Sequence, residues 1–242
     1  MPAVNLRRTP IESLTVDDLS FAVRWSKRRR TVGITVKRDG GLLVAAPART
    51  SPRKLEEAVR AKLPWVRRKL AEFEALGPPP APKRFVDGEL LPYLGRDYRL
   101  TLIDDPAQLV TLDSERFELA SGLDGDARAA VVAWYEARAR DYVEAAVARY
   151  APLVGAAPAA VVVRDLGKRR WGVCDHRTLT VSFHWQLVTQ PPDLVDYVVV
   201  HELAHLHEPN HGPAFWRRVE DVLPDSKPRR RRLSQSAHEH AF

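Results

Sequence analysis

The feature that most constrains this chain of 242 residues is a pair of histidines four positions apart, His201 and His205, with Glu202 directly after the first. On a helix, residues at i and i+4 share one face, so both imidazoles can reach one metal ion. Glu202 is then placed to act as the base for a metal-bound water. His211 follows the pair and would supply a third ligand, which leaves one coordination position open. The pattern predicts a catalytic metal site rather than a closed structural one.

Three residues compete for the third ligand position. Glu208 lies on the same helical face, but helix rise puts it about 10 Å from His201, and Pro209 discourages further helix. Glu220 lies where a carboxylate on a following helix could reach the metal, or could instead orient a ligand histidine. His211 comes after the turn that Pro209 predicts, and imidazole suits zinc. We therefore expect His211 to be the third ligand.

Composition indicates a globular protein without internal disulfides. With 45% hydrophobic residues the chain can build a core, and no segment is apolar enough to span a membrane. Cys174 is the single cysteine, and residues 1–10 lack the apolar stretch of a secretory signal. These features predict a soluble cytoplasmic protein. Cys174 could bind the metal, but three histidines suffice, and a small partly buried side chain is the favoured interpretation.

The net charge of +7 is concentrated near the two ends of the chain. Basic runs occur at residues 27–30 and 229–232, the second within a basic tail that begins near residue 226. Such runs can attract phosphate backbones, although most of them are solvated surface. Nucleic acid is therefore a candidate partner through the termini. The tract at residues 238–240 resembles a metal-binding sequence, but its polar terminal setting predicts disorder.

Hydrophobic periodicity predicts an α+β protein in two parts. Residues 1–125 are β-rich, with an inserted helix at about 52–76 and a proline-rich linker at 77–82. Residues 126–242 are mainly helical and contain the metal helix at about 193–208, with Asp193 as its N-cap candidate. The predicted strands are 31–36, 42–46, 98–103, 108–112, 116–120, 160–164 and 178–183, and the other predicted helices are 126–150, 213–222 and 227–236.

The block around the paired histidines resembles the YgjP-like zinc metallopeptidases, which are relatives of the SprT and WLM groups. The residues that carry the likeness are 198–206, 210–211 and 215–216, with weaker likeness at 28–30, 64–66, 170–174 and 185–187. The chain departs from the family at Val173, where a small hydroxyl residue is usual. The resemblance implies a β-rich N-terminal portion, a zincin-like metallopeptidase domain, zinc bound by His201, His205 and His211, and Glu202 as the catalytic residue.

Residues and resemblance together predict a zinc metallopeptidase, most simply an endopeptidase, that acts on polypeptides. Glu202 would take a proton from the metal-bound water and pass it to the leaving amine. A donor to the developing oxyanion is also expected, and Arg170, Tyr197 and His184 are the candidates. The strand near 178–183 could pair with an extended substrate. Two alternatives stay open, namely a metal-dependent hydrolase of nucleotides or other phosphoesters and a DNA-associated protease like those of the SprT group. The sequence does not indicate an oligomeric state.

Overall fold

The computed structural model describes residues 12–75, 77, 81–104, 107–123, 125–167 and 170–236. Within these residues the chain forms both strands and helices, so the predicted α+β class is confirmed. The strands are β1 Ser13–Val16, β2 Leu19–Ser26, β3 Gly33–Val36, β4 Leu42–Pro47, β5 Leu90–Tyr93, β6 Arg96–Ile103, β7 Val110–Leu112, β8 Arg116–Ala120, β9 Ala160–Arg164, β10 Gly172–Asp175 and β11 Thr180–His184. The helices are α1 Pro52–Arg60, α2 Leu63–Ala75, α3 Ala127–Val154, α4 Pro192–Ala204, α5 Pro213–Val222 and α6 Ser226–Ser236, with a 3-10 helix over Trp185–Thr189.

The chain divides into two compact units, Met1–Pro80 and Ala81–Phe242. In the first unit, strands in the order β1-β2-β4-β3 form a mixed sheet in which β2 and β4 are parallel. The core of this unit joins Phe21 and Val44 from the sheet to Leu55 and Val66 from the helices. Alternating β-branched residues explain the strands, because their stiff side chains suit a half-buried pleated surface.

The inserted helix predicted at 52–76 is in fact two helices. α1 begins after Ser51, whose hydroxyl accepts the backbone N–H of Lys54, and it ends at Arg60. α2 starts at Leu63, so Pro64 lies in the first turn of a new helix, where its missing N–H costs no hydrogen bond. Of the predicted linker at 77–82, residues 78–80 lie outside the described residues.

The described residues of the second unit form two sheets and four α-helices around one core. The strand orders are β5-β6-β8-β7 and β10-β11-β9. A single buried cluster joins Phe117 of β8, Tyr135 of α3 and Val199 of α4. The Tyr135 hydroxyl also donates to the carbonyl of Pro92 in β5 at 2.6 Å. The division between the compact units lies near residue 80. The strands β5 to β8 share the core of α3. The predicted domain boundary at residue 125 stays a prediction.

Helix α4 runs through the middle of this core, and its apolar residues from Leu194 to Leu203 are buried. The predicted N-cap is wrong. Pro191 occupies the cap position, and Asp193 lies in the first turn, where it pairs with Arg232 of α6. The sequence predicts that the helix ends near residue 208. In the structure its last residue is Ala204. None of the described helices is both long and apolar enough to cross a bilayer.

Candidate metal centre

Three imidazoles converge at the C-terminal end of α4. His201 lies in the last turn of the helix, and His205 is the C-cap residue with backbone angles still close to helical. The chain then turns, and His211 returns just before α5. Nε2 of His211 lies 3.0 Å from Nε2 of His201 and 3.1 Å from Nε2 of His205. Among the described residues, these histidines form the one group of three or more potential ligands within 4.8 Å of one another.

The ring of His205 is oriented by a backbone hydrogen bond. Its Nδ1 lies 2.9 Å from the carbonyl oxygen of Glu208, so Nδ1 carries the proton and the lone pair of Nε2 faces the other two rings. Nitrogen lone pairs that face each other at this range repel unless they share a proton or a cation. Nitrogens that bind tetrahedral zinc at about 2.0–2.1 Å are about 3.3 Å apart. The donor set therefore fits one divalent metal ion.

The ring of His201 is fixed by burial instead. Its Nδ1 is buried without a hydrogen-bond partner among the described residues, and the ring packs edge-on against Phe215 at 4.9 Å between centroids. Burial, together with smaller contributions from the two neighbouring histidines and Arg230, lowers the pKa of His201 to about 3. The imidazole is therefore neutral at physiological pH, which is the form that binds a metal.

The ring of His211 is exposed, and aromatic packing holds it. Its plane stacks on Trp216, with 5.7 Å between centroids and 23° between planes. Phe215 meets the same imidazole edge-on at 4.8 Å. The guanidinium of Arg230 lies 4.7 Å from the centre of the Trp216 ring, which adds a cation–π contact to this stack.

Glu202 projects from the buried side of α4 towards β10 and is only 6% exposed. The backbone N–H of Cys174 donates a hydrogen bond to its carboxylate. Gly172 leaves the space that the side chain occupies, because a Cβ there would lie 2.5 Å from Cγ of Glu202. Burial raises the pKa of Glu202 to about 8, and the hydrogen bond from Cys174 opposes this rise.

A cleft of about 320 Å³ opens beside the histidines and Glu202. One wall is formed by β10, from Gly172 to Cys174, and His176 from the following turn also lines the space. β10 is an edge strand of its sheet. The strand predicted near 178–183 corresponds to β11, which lies between β10 and β9 and is therefore already paired on both sides. The strand edge that faces the cleft thus belongs to β10.

The other ligand candidates do not join the three histidines. The carboxylate of Glu220 pairs with Lys227 at 3.0 Å. Glu208 contributes its backbone carbonyl to His205 and not its carboxylate to the ligand group. The half-buried thiol of Cys174 is also outside this group, and burial, Glu202 and Asp175 raise its pKa to about 11.

The basic run at 229–232 is partly neutralised within the second unit. Arg229 pairs with Asp225 at 2.9 Å, and Arg232 pairs with Asp193 at 2.5 Å. Arg230 instead lies on Trp216 beside the histidines. The tract at 238–240 lies outside the described residues.

Sequence reasoning missed two residues of the cleft, Gly172 and His176. Neither residue belongs to a sequence motif that would indicate a catalytic or binding role. The available signal for His176 is the turn after β10, where Asp175 accepts the backbone N–H groups of Arg177 and Thr178. Recognising that turn would have placed His176 directly after a strand, but the contact of this strand with the metal helix has no local signal in the sequence.

A buried helix that carries His201, Glu202 and His205 beside an open cleft is the arrangement expected of a metal-dependent hydrolase. The chain belongs to the YgjP-like family, since the model of the YgjP-like metallopeptidase domain matches residues 30–236. Membership of a metallopeptidase family implies a divalent metal ion and a polypeptide substrate.

Among solved structures, the chain is similar to the metallopeptidase zymogen abylysin of Pyrococcus abyssi. The identity is 23% and the TM-score 0.36, over 43% of this chain and 99% of that one. No curated protein matches the chain.

Proposed function

We propose that this chain is a zinc-dependent peptidase that hydrolyses internal peptide bonds. The observation that carries the proposal is the convergence of three imidazole nitrogens within 4.8 Å, beside the buried carboxylate of Glu202. The metallopeptidase family of the chain supports peptide-bond chemistry over other hydrolytic reactions. The open cleft next to these groups gives an extended polypeptide access to them.

His201, His205 and His211 are the residues that would hold the ion. Three imidazoles without a carboxylate suit zinc better than magnesium or calcium, which prefer oxygen ligands. When bound, the metal supplies Lewis acidity, which lowers the pKa of a coordinated water and polarises the scissile carbonyl.

Glu202 moves the proton. Its ionised carboxylate accepts a proton from the attacking water and returns it to the nitrogen of the leaving amine. A divalent ion held by the adjacent histidines would lower the pKa of Glu202 and so favour this ionised form. The N–H of Cys174 holds the carboxylate in place, and burial limits exchange of the proton with bulk water. Apart from the Cys174 N–H, the edge of β10 that faces away from β11 carries backbone groups that pair with no other described strand and can bind an extended substrate next to Glu202.

Elemental analysis combined with turnover tests this function. The purified protein should contain one zinc ion per chain and should cleave an unfolded polypeptide such as casein. Glu202→Gln should keep zinc and lose turnover, whereas His201→Ala should lose both. Glu208→Gln is the matched control, because only the backbone of Glu208 contacts a ligand ring.

Two results would overturn the proposal. A wild-type rate of turnover in Glu202→Gln would show that Glu202 is not the general base. Hydrolysis of nucleotides, with no cleavage of unfolded polypeptides by the zinc-loaded protein, would show that the site belongs to a different hydrolase.

A further inference from the structure

Peptide hydrolysis places negative charge on the carbonyl oxygen of the scissile bond, and a hydrogen-bond donor that faces the cleft stabilises this charge. The three donors indicated by the sequence are not among the residues that line the cleft. Tyr197 is 3% exposed and His184 is 5% exposed, so both are enclosed in the core. Arg170 is exposed but lies outside the lining. None of these three side chains is therefore placed to act as a donor in the cleft.

His176 is a fourth histidine in the cleft lining. Apart from the clustered histidines and Glu202, the described side chains of the lining that can donate a hydrogen bond are the thiol of Cys174 and the imidazole of His176. A thiol is a weak donor, and an imidazole N–H is a strong one. The ring of His176 makes no hydrogen bond within the described part of the chain, so its N–H is available to a substrate.

The turn that carries His176 is well braced. The carboxylate of Asp175 accepts the backbone N–H of Arg177 at 2.9 Å and that of Thr178 at 3.4 Å. These bonds close the turn directly around His176 and fix its backbone. A donor that is already in place loses little free energy to reorganisation when charge develops on the substrate.

The strand that leads into this turn, β10, also contacts Glu202, the proposed base. Two residues before His176, the N–H of Cys174 donates to the carboxylate of Glu202. This bond ties β10 to α4, so one short segment holds the base through its backbone and presents His176 to the same cleft. His176 directly follows β10, so its backbone lies at a fixed distance along the chain from the residue that contacts Glu202.

We propose that His176 is a catalytic residue, whose ring N–H donates a hydrogen bond to the carbonyl oxygen of the scissile peptide bond. This inference rests on the proposed peptidase function. The imidazole keeps at least one N–H in either protonation state, so the role does not require a charged ring. Because the side chain is exposed, we expect an effect at the lower end of the range for such donors.

Steady-state kinetics on the zinc-loaded full chain give the first test. His176→Ala should lower kcat about 100-fold, with KM changed less than about twofold and zinc content unchanged. His176→Asn retains an N–H donor and should recover part of the loss. Arg177→Ala is the matched control, since Arg177 lies in the same turn, is exposed and does not line the cleft. Wild-type kcat in His176→Ala would overturn the inference.

Binding of a tetrahedral anion gives a second readout that does not depend on turnover. An N-phosphoryl dipeptide presents anionic oxygens where the carbonyl oxygen of a substrate would lie. Calorimetry should show about 100-fold weaker binding to His176→Ala than to the zinc-loaded wild type or to Arg177→Ala. Equal affinity for all three proteins would overturn the inference.

The two readouts separate this inference from the function on which it rests. If the wild type cleaves polypeptides and His176→Ala matches it in both assays, the donor assignment fails alone. If the wild type cleaves no polypeptide, but loss of His176 still weakens binding of the phosphoryl group, the proposed peptidase function fails and with it the role of His176 in peptide hydrolysis, while His176 is supported as a hydrogen-bond donor to an anionic group in the cleft.

Discussion

Gly172 on β10 and Glu202 on α4 approach so closely that a Cβ at residue 172 would lie 2.5 Å from Cγ and 2.7 Å from Oε1 of the glutamate. Real Cβ atoms do not approach other heavy atoms at such distances, so a larger residue at 172 must displace the carboxylate or β10. Glu202 is buried and cannot move away freely. The glycine is thus required by the position of the proposed base.

Gly172→Ala should therefore lower kcat about 100-fold while zinc content is retained, because a displacement of about 1 Å is enough to misplace a catalytic group. Steady-state kinetics and elemental analysis of the same preparation check this. Gly33→Ala is the matched control, since its Cβ would meet the guanidinium of Arg29, the far end of a long exposed side chain that can move at little cost. Full activity in Gly172→Ala would show that residue 172 does not approach the side chain of Glu202 as closely as described.

The third ligand can be identified by comparing His211 with Glu220. His211→Ala should abolish tight zinc binding, because it removes one of three nitrogens that converge within 4.8 Å. Glu220→Gln should leave zinc content unchanged, because its carboxylate is engaged with Lys227 at 3.0 Å. Zinc titration against a chelator measures both affinities. Loss of zinc from the Glu220 variant with retention in the His211 variant would reverse the assignment.

The metal helix could be predicted because its signal is local. The spacing of His201 and His205 follows from helix geometry alone, and Pro209 signals the turn that brings His211 back. The end of the helix was less well predicted, since it stops at Ala204 rather than near 208. His205 still lies on the same helical face as His201, because its backbone angles stay close to helical at the C-cap.

The remaining structure depends on contacts between distant residues, which a local pattern does not show. β10 is a short strand, and it is defined by its pairing with β11. The core contact between Phe117 and Tyr135 places the second four-stranded sheet in the unit of the metal helix. β1, β2 and β5 likewise carry no pattern that the sequence analysis recognised. Local periodicity predicts elements, but it does not assign them to a core.

His184 should make the stability of the protein depend on pH. Its Nδ1 accepts the N–H of Gln186 at 3.0 Å, and Nε2 lies 3.2 Å from Asp165. Burial lowers the pKa of His184, and Asp165 opposes this only in part. In the unfolded chain the imidazole of His184 therefore takes up a proton near pH 6.5, whereas in the folded chain it does so only at lower pH. Neutral His184 thus makes its full contribution to the free energy of unfolding above about pH 6.5. This contribution is lost as the pH falls below that value, by at most about 1.4 kcal/mol per pH unit.

Urea denaturation of the metal-free protein at pH 7.5 and pH 5.5 measures this effect. The free energy of unfolding of His184→Gln should fall less between the two pH values than that of the wild type. His207→Gln, which replaces an exposed histidine, should behave like the wild type. An equal fall in all three proteins would show that His184 does not contribute.

Asp196 should be the main polar anchor between α3 and the metal helix. Its carboxylate is 8% exposed and accepts the hydroxyl of Tyr150 at 2.8 Å and that of Tyr142 at 3.3 Å. Burial and the nearby carboxylate raise the pKa of Tyr142 to about 12, so its hydroxyl stays protonated and can donate. Arg149 adds a partial ion pair at 3.6 Å. A buried carboxylate with these partners stabilises the folded state only while the partners remain.

Asp196→Ala should lower the free energy of unfolding by about 2–4 kcal/mol, because it removes the acceptor of the Tyr150 hydroxyl and leaves that of Tyr142 only its longer bond to the carbonyl of Pro192 at 3.4 Å. Tyr150→Phe removes one donor and should cost about 1.5–3 kcal/mol, since the bond is to a charged group. Urea denaturation measures both, and Asp141→Ala on the exposed face of α3 is the control, expected within about 0.5 kcal/mol of the wild type. The double variant should lose less than the sum, because both changes break the same hydrogen bond. Strict additivity would show that Asp196 and Tyr150 do not interact.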